Sequence, residues 1–356
     1  MRPRTVLVVG PLPPPRHGAS HVTEAVLAEV RALAAAATGT RVRVVSTAAT
    51  GAGPRYHLRR AASHVRAGIA VLAARARGPV VVYVGGAGSG GLWYQAAVLA
   101  VARAAGAVPV FHHHSYNYLL PGEPPARVMT VLARLLGPSG THVCLSEGMA
   151  ATFRARYRTA AAVVVVSNAR VVEAPGTVTG DHDGPVDRLV HVSNLTAEKG
   201  VLDVLDAFDD LRARGREVGL TLVGPADPEV QAAIDGARRR HGAALRHTGP
   251  LDRDGVAREL AGAAVFVFPS RYRHESHPLV VHEALAAGVP VLATARGAVA
   301  ELLPPGWLVD EVTPLADQVT QLLDDDREAL RALARAHYER SRAEGIDLPR
   351  YLVGSS

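Results

Sequence analysis

Short apolar runs alternate with longer amphipathic segments along most of this 356-residue chain. The runs are rich in valine, as expected of parallel strands buried on both faces, and the segments between them have helical periodicity. The predicted strands are residues 5–9, 41–46, 80–84, 108–112, 142–145, 162–166, 189–192, 220–223, 245–248, 265–268 and 289–293. Alternation of this kind predicts an α/β protein with parallel sheets.

The alternation stops once, at residues 173–187, EAPGTVTGDHDGPVD, which are rich in Pro, Gly and Asp and have no apolar period. We therefore predict a linker at 171–187 between two doubly wound, Rossmann-like domains, residues 1–170 and 188–335, with a cleft between them. Residues 336–356 are predicted to form a C-terminal helix that packs back on the first domain.

Charge is distributed unevenly over the chain, whose formal net charge is +6. Ten arginines and no Asp or Glu lie between residues 30 and 122, and a predicted basic helix at 55–77 carries Leu58, Val65, Ile69 and Leu72 on one face. A coding bias toward arginine explains the basic residues, and so does contact with a membrane face or a phosphorylated substrate. Aromatic residues are 4% and do not interleave with basic ones, so we expect no nucleic-acid partner.

The location of the protein is predicted from what its sequence lacks. Cys144 is the single cysteine, which fits a reducing compartment, and the first apolar run is too short for a signal peptide. No run approaches the roughly 20 apolar residues of a membrane span. We expect a cytoplasmic protein and leave open a peripheral contact at the inner membrane face.

The stretch 265–294 contains the densest candidate chemistry. Its first strand ends at a Pro-Ser pair, and after a polar loop Pro278 is well placed to begin a helix. Glu275 lies just before this helix and Glu283 within it, while the free amides near Leu279 and Val280 form an anion site. Carboxylates beside such a helix end suit a ligand with hydroxyl and phosphate groups, such as a nucleotide sugar.

Lys199 is the only lysine among 39 basic residues. It lies in a predicted loop between a strand and a helix, where phosphate contacts form. Chance can leave one lysine in such a chain, and a requirement for a compact point charge is the alternative.

The N-terminal half offers two further candidates. Gly18, in the loop predicted after the first strand, lets a ligand approach the backbone, although no dinucleotide-binding glycine fingerprint is present. His112 and His114 share one face at the end of the fourth strand, where one of them could act as a base near neutral pH or remain a solvated strand end. We expect no metal ligation, because no carboxylate is near in sequence.

Several of these segments resemble the retaining, two-domain GT-B glycosyltransferases of the group 1, or family 4, type. The resemblance spans nearly the whole chain and is strongest over 189–310. There HVSNLTAEKGVLDVLDAF, LVGP, HTGPL, VFVFPS, ESHPLVVHEALAAGVPVLAT and GAVAEL occur in the order typical of the family. The spacing of Glu275 and Glu283 matches the paired-glutamate motif of that family, and PLPPPRHGAS resembles its N-terminal glycine loop.

The resemblance implies roles for individual residues. Lys199 would contact the donor diphosphate, Glu275 the hydroxyls of the transferred sugar and Glu283 the ribose. The amides of His277, Leu279 and Val280 would meet sugar and phosphate oxygens, and His114 or His112 would be the acceptor-side histidine. The list of implied donor-binding positions is completed by Gly18, Asn194 and Ser276.

Two departures from the family pattern leave questions open. Asn194 stands where an arginine is common, so neutralisation of the diphosphate would depend more on Lys199 and the helix dipole, or on Arg271 or Arg273. Ser276-His277 replaces the commoner Gly-Phe, which leaves the donor open.

The implied function is transfer of a sugar from a nucleoside-diphosphate sugar to a hydroxyl acceptor, with retention and without a metal ion or other cofactor. The acceptor is a small natural product, a lipid or a glycan. Two alternatives share the architecture: a sugar-nucleotide epimerase, and a non-catalytic sugar-nucleotide-binding partner.

Overall fold

The computed structural model describes residues 4–14, 17–36, 39–49, 51, 53–86, 88, 90–174 and 187–354. The chain divides into two compact units. The N-terminal unit is Met1–Ser167 with Glu344–Ser356, and the C-terminal unit is Asn168–Ala343. Most of the predicted linker, residues 175–186, lies outside the described residues.

Each unit is built on one parallel sheet, which confirms the predicted α/β class. The N-terminal sheet has the order β2-β1-β3-β4-β5-β6 and the C-terminal sheet the order β11-β10-β7-β8-β9. The strands are β1 (Arg4–Gly10), β2 (Thr40–Ser46), β3 (Val80–Gly85), β4 (Val108–His112), β5 (Thr141–Cys144), β6 (Ala162–Val165), β7 (Asp187–Val192), β8 (Val218–Val223), β9 (Leu245–His247), β10 (Val265–Phe268) and β11 (Val291–Ala293).

Helices connect the strands, and a helical tail follows the second sheet. The helices are α1 (Gly18–Ala36), α2 (Pro54–Arg75), α3 (Gly91–Ala104), α4 (Arg127–Leu136), α5 (Glu147–Arg156), α6 (Val201–Ala213), α7 (Pro228–His241), α8 (Arg253–Ala261), α9 (Leu279–Ala286), α10 (Val299–Leu302), α11 (Leu315–Asp324), α12 (Arg327–Ala343) and α13 (Leu348–Val353). Short 3-10 helices lie at Asn168–Val171, Ala197–Lys199, Gly242–Ala244 and Pro305–Trp307.

The tail belongs to both units. Helix α12 continues to Ala343 and packs against α9 in the C-terminal unit, so the structural boundary lies after residue 343 and not at the predicted residue 336. Helix α13 packs on α1, and the Tyr351 hydroxyl lies 2.6 Å from the Thr141 hydroxyl in the N-terminal unit.

Helix α2 packs in an orientation that its apolar pattern does not suggest. Its buried face consists of small or polar residues together with Val71, namely Ser63, His64, Ala67, Val71 and Ala74. Leu58, Val65, Ile69 and Leu72, which share a face as predicted, are 54–71% exposed. The apolar stripe of α2 therefore faces solvent.

Among the residues that the structure describes, no helix is both long enough and apolar enough to cross a bilayer.

Candidate active site

Two loops at the carboxyl edge of the C-terminal sheet pack directly against each other. The first follows β7 and ends in the 3-10 helix Ala197–Lys199, and the second leads from β10 into α9. Gly200 has a φ of +75°, and a Cβ there would lie 2.3 Å from the Pro269 carbonyl oxygen. The backbone N–H of Arg271 donates to the Glu198 carbonyl at 2.8 Å. This close backbone packing, which requires glycine at position 200, positions the side chains that the loops carry.

Lys199 and Glu275 meet where these loops join. The Lys199 ammonium lies 2.6 Å from Glu275 Oε2, and the two side chains are 20% and 11% exposed. The Ser270 hydroxyl donates to the same carboxylate oxygen at 3.1 Å. A charge pair that is partly withdrawn from water interacts more strongly than an exposed pair. The attraction between Lys199 and Glu275 therefore helps to hold both side chains in place.

Aromatic rings complete the surroundings of the ammonium group. Lys199 Nζ lies 4.6 Å from the centroid of the Tyr272 ring and 5.7 Å from that of Phe268. His191 stacks on Phe268, and its ring nitrogens contact the Val267 carbonyl and the Ser193 hydroxyl, each at 2.8 Å. Burial, opposed by the Val267 contact and assisted by the nearby Lys199 charge, lowers the pKa of His191 to about 4. His191 is therefore neutral at physiological pH, and Lys199 carries the positive charge.

The backbone that carries Glu275 is held by a second glycine. Gly297 has a φ of +57°, and a Cβ there would lie 2.3 Å from the Glu275 carbonyl oxygen and 2.5 Å from that of Ser276. The Ser276 carbonyl accepts a hydrogen bond from the Ala298 amide at 2.8 Å. Ser276 thus helps to set the loop conformation through its main chain.

Helix α9 begins immediately beyond this loop. Pro278 is its N-cap and supplies no side-chain cap, so the first amides, those of Leu279 and Val280, lie at an uncapped helix N-terminus. Glu283 is three and four residues further along and therefore lies on the same side of the helix. Burial raises the pKa of Glu283, although Arg253 opposes this shift. The two helix amides and the half-buried Glu283 carboxyl group thus follow Glu275 closely in sequence.

His277 points its side chain into the protein. Its Nδ1 accepts the Asn168 backbone N–H at 3.3 Å and lies 2.9 Å from Nε2 of His282, while its carbonyl accepts from the Asn168 side-chain amide at 2.7 Å. Burial and the neighbouring His282 lower the pKa of His277 well below its ordinary value. The imidazole is thus a structural group, and only the main chain of His277 is left for the predicted ligand contact.

The position where the family commonly has arginine is a surface position here. Asn194 is exposed, in the loop after β7. Arg271 forms an ion pair with Asp203 at 2.6 Å and has a side chain 65% exposed. That pairing directs Arg271 toward α6, so Lys199 is the cation that directly contacts Glu275.

The N-terminal unit has a cavity of about 250 Å³ at the carboxyl edge of its own sheet. Loops after β1, β2, β3 and β4 contribute to its lining, which is the usual location of ligand sites in parallel sheets. The lining residues are Pro11, His17, Ala19, Thr47, Ala48, Ala49, Tyr56, Arg60, Gly86, Gly88, Gln95 and His114.

Of the two candidate histidines in this unit, only His114 lines the cavity. Burial, assisted by the charge of His17, lowers the pKa of His114 to about 3. His112 is buried behind it, with ring centroids 4.2 Å apart and Nδ1 of His112 2.8 Å from the Tyr83 hydroxyl. Burial lowers the pKa of His112 as well. Both rings are neutral at physiological pH, and a group with a pKa of about 3 is a weak base.

Gly18 is the first residue of α1, so this helix begins three residues before the predicted residue 21. The early start has a local cause. The His17 amide donates to the Ser20 hydroxyl at 2.9 Å, and the Ser20 amide donates to His17 Nδ1 at 3.2 Å. This reciprocal pair caps the helix in the manner of a capping box. Gly18 is exposed beside the cavity-lining residues His17 and Ala19.

Sequence reasoning missed four residues that contact the Lys199–Glu275 pair or line the N-terminal cavity. Ser270 and Tyr272 contact the Lys199–Glu275 pair, and Arg60 and Tyr56 line the N-terminal cavity. Of the four, only Ser270 had a sequence signal, the Pro-Ser pair that ends the predicted strand. Within the described ranges, no group of three or more His, Cys, Asp or Glu side chains is arranged to hold a metal ion.

The C-terminal region is similar in sequence to known glycosyltransferases. Residues 186–325 match the family model described as Glycosyl transferases group 1. The chain is 33% identical over 162 residues to glycogen synthase of Mycobacterium tuberculosis, which covers 44% of this chain and 38% of that protein. It is 33% identical over 166 residues to N-acetyl-alpha-D-glucosaminyl L-malate synthase of Bacillus anthracis, covering 44% and 42%. The chain thus spans about two-fifths of the length of these curated relatives.

The fold is shared over a greater length. The crystal structure of Anabaena HepE in complex with UDP aligns over 95% of each chain, with a TM-score of 0.65 and 17% identity. The predicted GT-B fold and the predicted resemblance to group 1 glycosyltransferases are therefore confirmed. The cleft predicted between the domains stays a prediction.

Proposed function

We propose that this protein transfers a sugar from a nucleoside-diphosphate sugar to a hydroxyl acceptor, because residues 186–325 match the model of the glycosyl transferases group 1 family. The observation that carries the proposal is the Lys199–Glu275 pair, with nitrogen and oxygen 2.6 Å apart, at the carboxyl edge of the sheet in the C-terminal unit. A compact cation and a carboxylate at one sheet edge match the two halves of such a donor, a diphosphate and a polyhydroxylated sugar.

The donor roles follow from the arrangement of the C-terminal unit. Lys199 and the first amides of α9 bind the diphosphate, Glu275 orients the sugar hydroxyls and Glu283 holds the ribose. When the glycosidic bond breaks, negative charge develops on the diphosphate, and a fixed ammonium and helix amides stabilise it without rearranging. This charge stabilisation takes the place of a metal ion in the mechanism that we propose.

The acceptor binds in the cavity of the N-terminal unit. Its hydroxyl attacks the sugar from the face of the departing diphosphate, through an oxocarbenium-like state, and the product retains the anomeric configuration. His114, with a pKa of about 3, positions that hydroxyl by accepting a hydrogen bond, and the leaving diphosphate is the stronger base available to take its proton. His112 supports His114 from behind.

A thermal-shift screen with UDP, GDP and dTDP sugars tests the donor assignment. We expect one nucleotide series to raise the unfolding temperature, and UDP is the first candidate because the structural neighbour HepE was solved with UDP. Release of nucleoside diphosphate is then followed with and without hydroxyl acceptors. An epimerase would convert the donor without an acceptor, and a non-catalytic partner would bind the nucleotide and release no diphosphate.

Replacing Glu275 with glutamine separates its ion pair with Lys199 from its proposed contact with the sugar hydroxyls. The amide keeps the size of the carboxylate but releases Lys199 from its ion pair. We expect the affinity for free nucleoside diphosphate to stay within about threefold of wild type or to increase, while turnover of the intact donor falls about 100-fold. Glu198→Gln, at an exposed position of the neighbouring loop, is the matched control. If affinity for free nucleoside diphosphate fell as much as turnover of the intact donor, Glu275 would serve only to maintain the loop.

Arg60 indicates what kind of acceptor the cavity holds. Its Nη1 donates to the Tyr56 hydroxyl at 2.8 Å, and its guanidinium lies against the rings of Tyr56 and Tyr94. In the part of the chain that the structure describes, Arg60 Nε is buried without a hydrogen-bond partner. No Asp or Glu occurs between residues 30 and 122, so the sequence around Arg60 supplies no counter-charge. We therefore propose that the acceptor carries a phosphate or carboxylate near its reactive hydroxyl.

Acceptor pairs that differ by one anionic group test this role of Arg60. Glycerol 3-phosphate or glycerate should stimulate release of nucleoside diphosphate more than glycerol does. Arg60→Gln should lower the preference for the anionic member about 10- to 100-fold, as expected for loss of a charge-assisted hydrogen bond. Arg59→Gln, on the exposed side of the same helix, should keep it. A neutral preference in the wild-type enzyme would contradict an anionic acceptor.

A further inference from the structure

The outer face of α2 is an unusual surface for a globular protein. Leu58, Val65, Ile69 and Leu72 are 71%, 62%, 60% and 54% exposed. At 3.6 residues per turn these four positions fall within a sector of about 60°. The residues buried in the N-terminal unit lie on the opposite side of the helix, so the stripe points away from the core.

The charges around this stripe have one sign. Arg55, Arg59 and Arg66 are exposed along one flank, and Arg75 is exposed on the other. Helix α2 contains no acidic residue, and the sequence from residue 30 to residue 122 contains none either. An apolar stripe bordered by arginines, on a helix of 22 residues, has the composition of helices that lie in the interface of a bilayer.

We infer that α2 is a docking surface for an anionic lipid bilayer, with its stripe in the acyl boundary and its arginines at the headgroups. The chemistry favours lipid over a second copy of this chain, because stripe-to-stripe pairing would bring arginines of both copies together without a carboxylate on α2 to offset them. A bilayer needs no directional pairing and supplies both negative charge and apolar depth. This inference does not depend on the proposed transferase activity.

Sedimentation with vesicles tests the inference on the full chain. We expect binding to phosphatidylcholine vesicles that contain about 30% phosphatidylglycerol and weak binding to pure phosphatidylcholine. The variant Leu58→Ser/Val65→Ser/Ile69→Ser/Leu72→Ser should partition at least about tenfold more weakly. The variant Arg55→Gln/Arg59→Gln/Arg66→Gln should bind these vesicles about 100-fold more weakly, and its binding should lose most of its salt dependence.

Matched controls separate docking from folding. Val312 and Leu333 are exposed aliphatic residues of the C-terminal unit, and Val312→Ser/Leu333→Ser should bind vesicles like wild type. Thermal unfolding should be nearly unchanged for all these variants, because the altered side chains are exposed. Failure of the wild type to bind the anionic vesicles, or full binding by the stripe variant, would overturn the inference. So would light scattering that shows a dimer dispersed by the stripe variant, because the stripe would then belong to a second copy.

Discussion

Replacing Lys199 with alanine is expected to lower the rate of nucleoside diphosphate release from the donor about 1,000-fold. The ammonium is the cation in direct contact with Glu275, and we assign it to the charge that develops on the leaving diphosphate. Its removal also leaves a carboxylate with a side chain only 11% exposed without its counter-charge, which further disfavours an anionic ligand. The measurement is kcat with the donor identified by the thermal-shift screen, with water as the acceptor where no better one is known.

Two further variants serve as controls. One tests whether the charge or the shape of Lys199 matters, and the other tests whether removing a cation elsewhere in the unit has the same effect. Lys199→Arg keeps the charge but spreads it over a planar group, and it should recover activity to within about tenfold of wild type. Arg216→Ala removes a half-buried cation that is paired with Asp324 in the same unit and should leave kcat unchanged. If Lys199→Ala turned over donor within threefold of wild type while remaining folded, the assignment of the diphosphate to this residue would be wrong.

Acidification is expected to destabilise the N-terminal unit steeply. Burial lowers the pKa of both His114 and His142 to about 3 and places those of His112 and His113 well below 6.5. Because the folded pKa is depressed, the unfolded chain binds more protons below its own pKa of about 6.5, and stability is lost as the pH falls from there. At about pH 5, His114 and His142 each lower the free energy of unfolding by about 2 kcal/mol.

Urea unfolding measured at about pH 7.5 and about pH 5 checks this expectation. His142 is buried, with Nδ1 3.0 Å from Nε2 of His113. His142→Gln should therefore be less stable at the higher pH, and the loss between the two pH values should be about 2 kcal/mol smaller than in wild type. His57→Gln, at an exposed position of α2, should keep the full loss. A wild-type urea midpoint that does not change between the two pH values would contradict the prediction.

The strand positions could be predicted from sequence because parallel strands buried on both faces appear as continuous apolar runs. Each of the eleven predicted runs overlaps a strand of the structure, and β4 and β10 have the predicted bounds. The tail was less predictable. A single helical segment was expected, and a break between Ala343 and Leu348 divides it between the two units. Such a break depends on tertiary packing that the local pattern does not contain.

The site was predictable only where composition singled out a residue. The solitary Lys199 and the spacing of Glu275 and Glu283 singled out residues at one sheet edge, and the structure brings Lys199 and Glu275 into contact there; their role in donor binding stays a prediction. The direction of the His277 side chain was not predictable, because its partners Asn168 and His282 are brought to it by folding. The orientation of α2 could not be predicted from its sequence either, because an apolar face normally predicts burial and this one faces solvent.

In the mechanism that we propose, Lys199 and the first turn of α9 hold the diphosphate of a nucleotide-sugar donor. The most direct measurement is a crystal structure of the full chain with the nucleoside diphosphate that the thermal-shift screen selects. We expect phosphate oxygens within about 3 Å of Lys199 Nζ and of the amides of Leu279 and Val280. A diphosphate bound elsewhere, with Lys199 still paired only with Glu275, would contradict this mechanism.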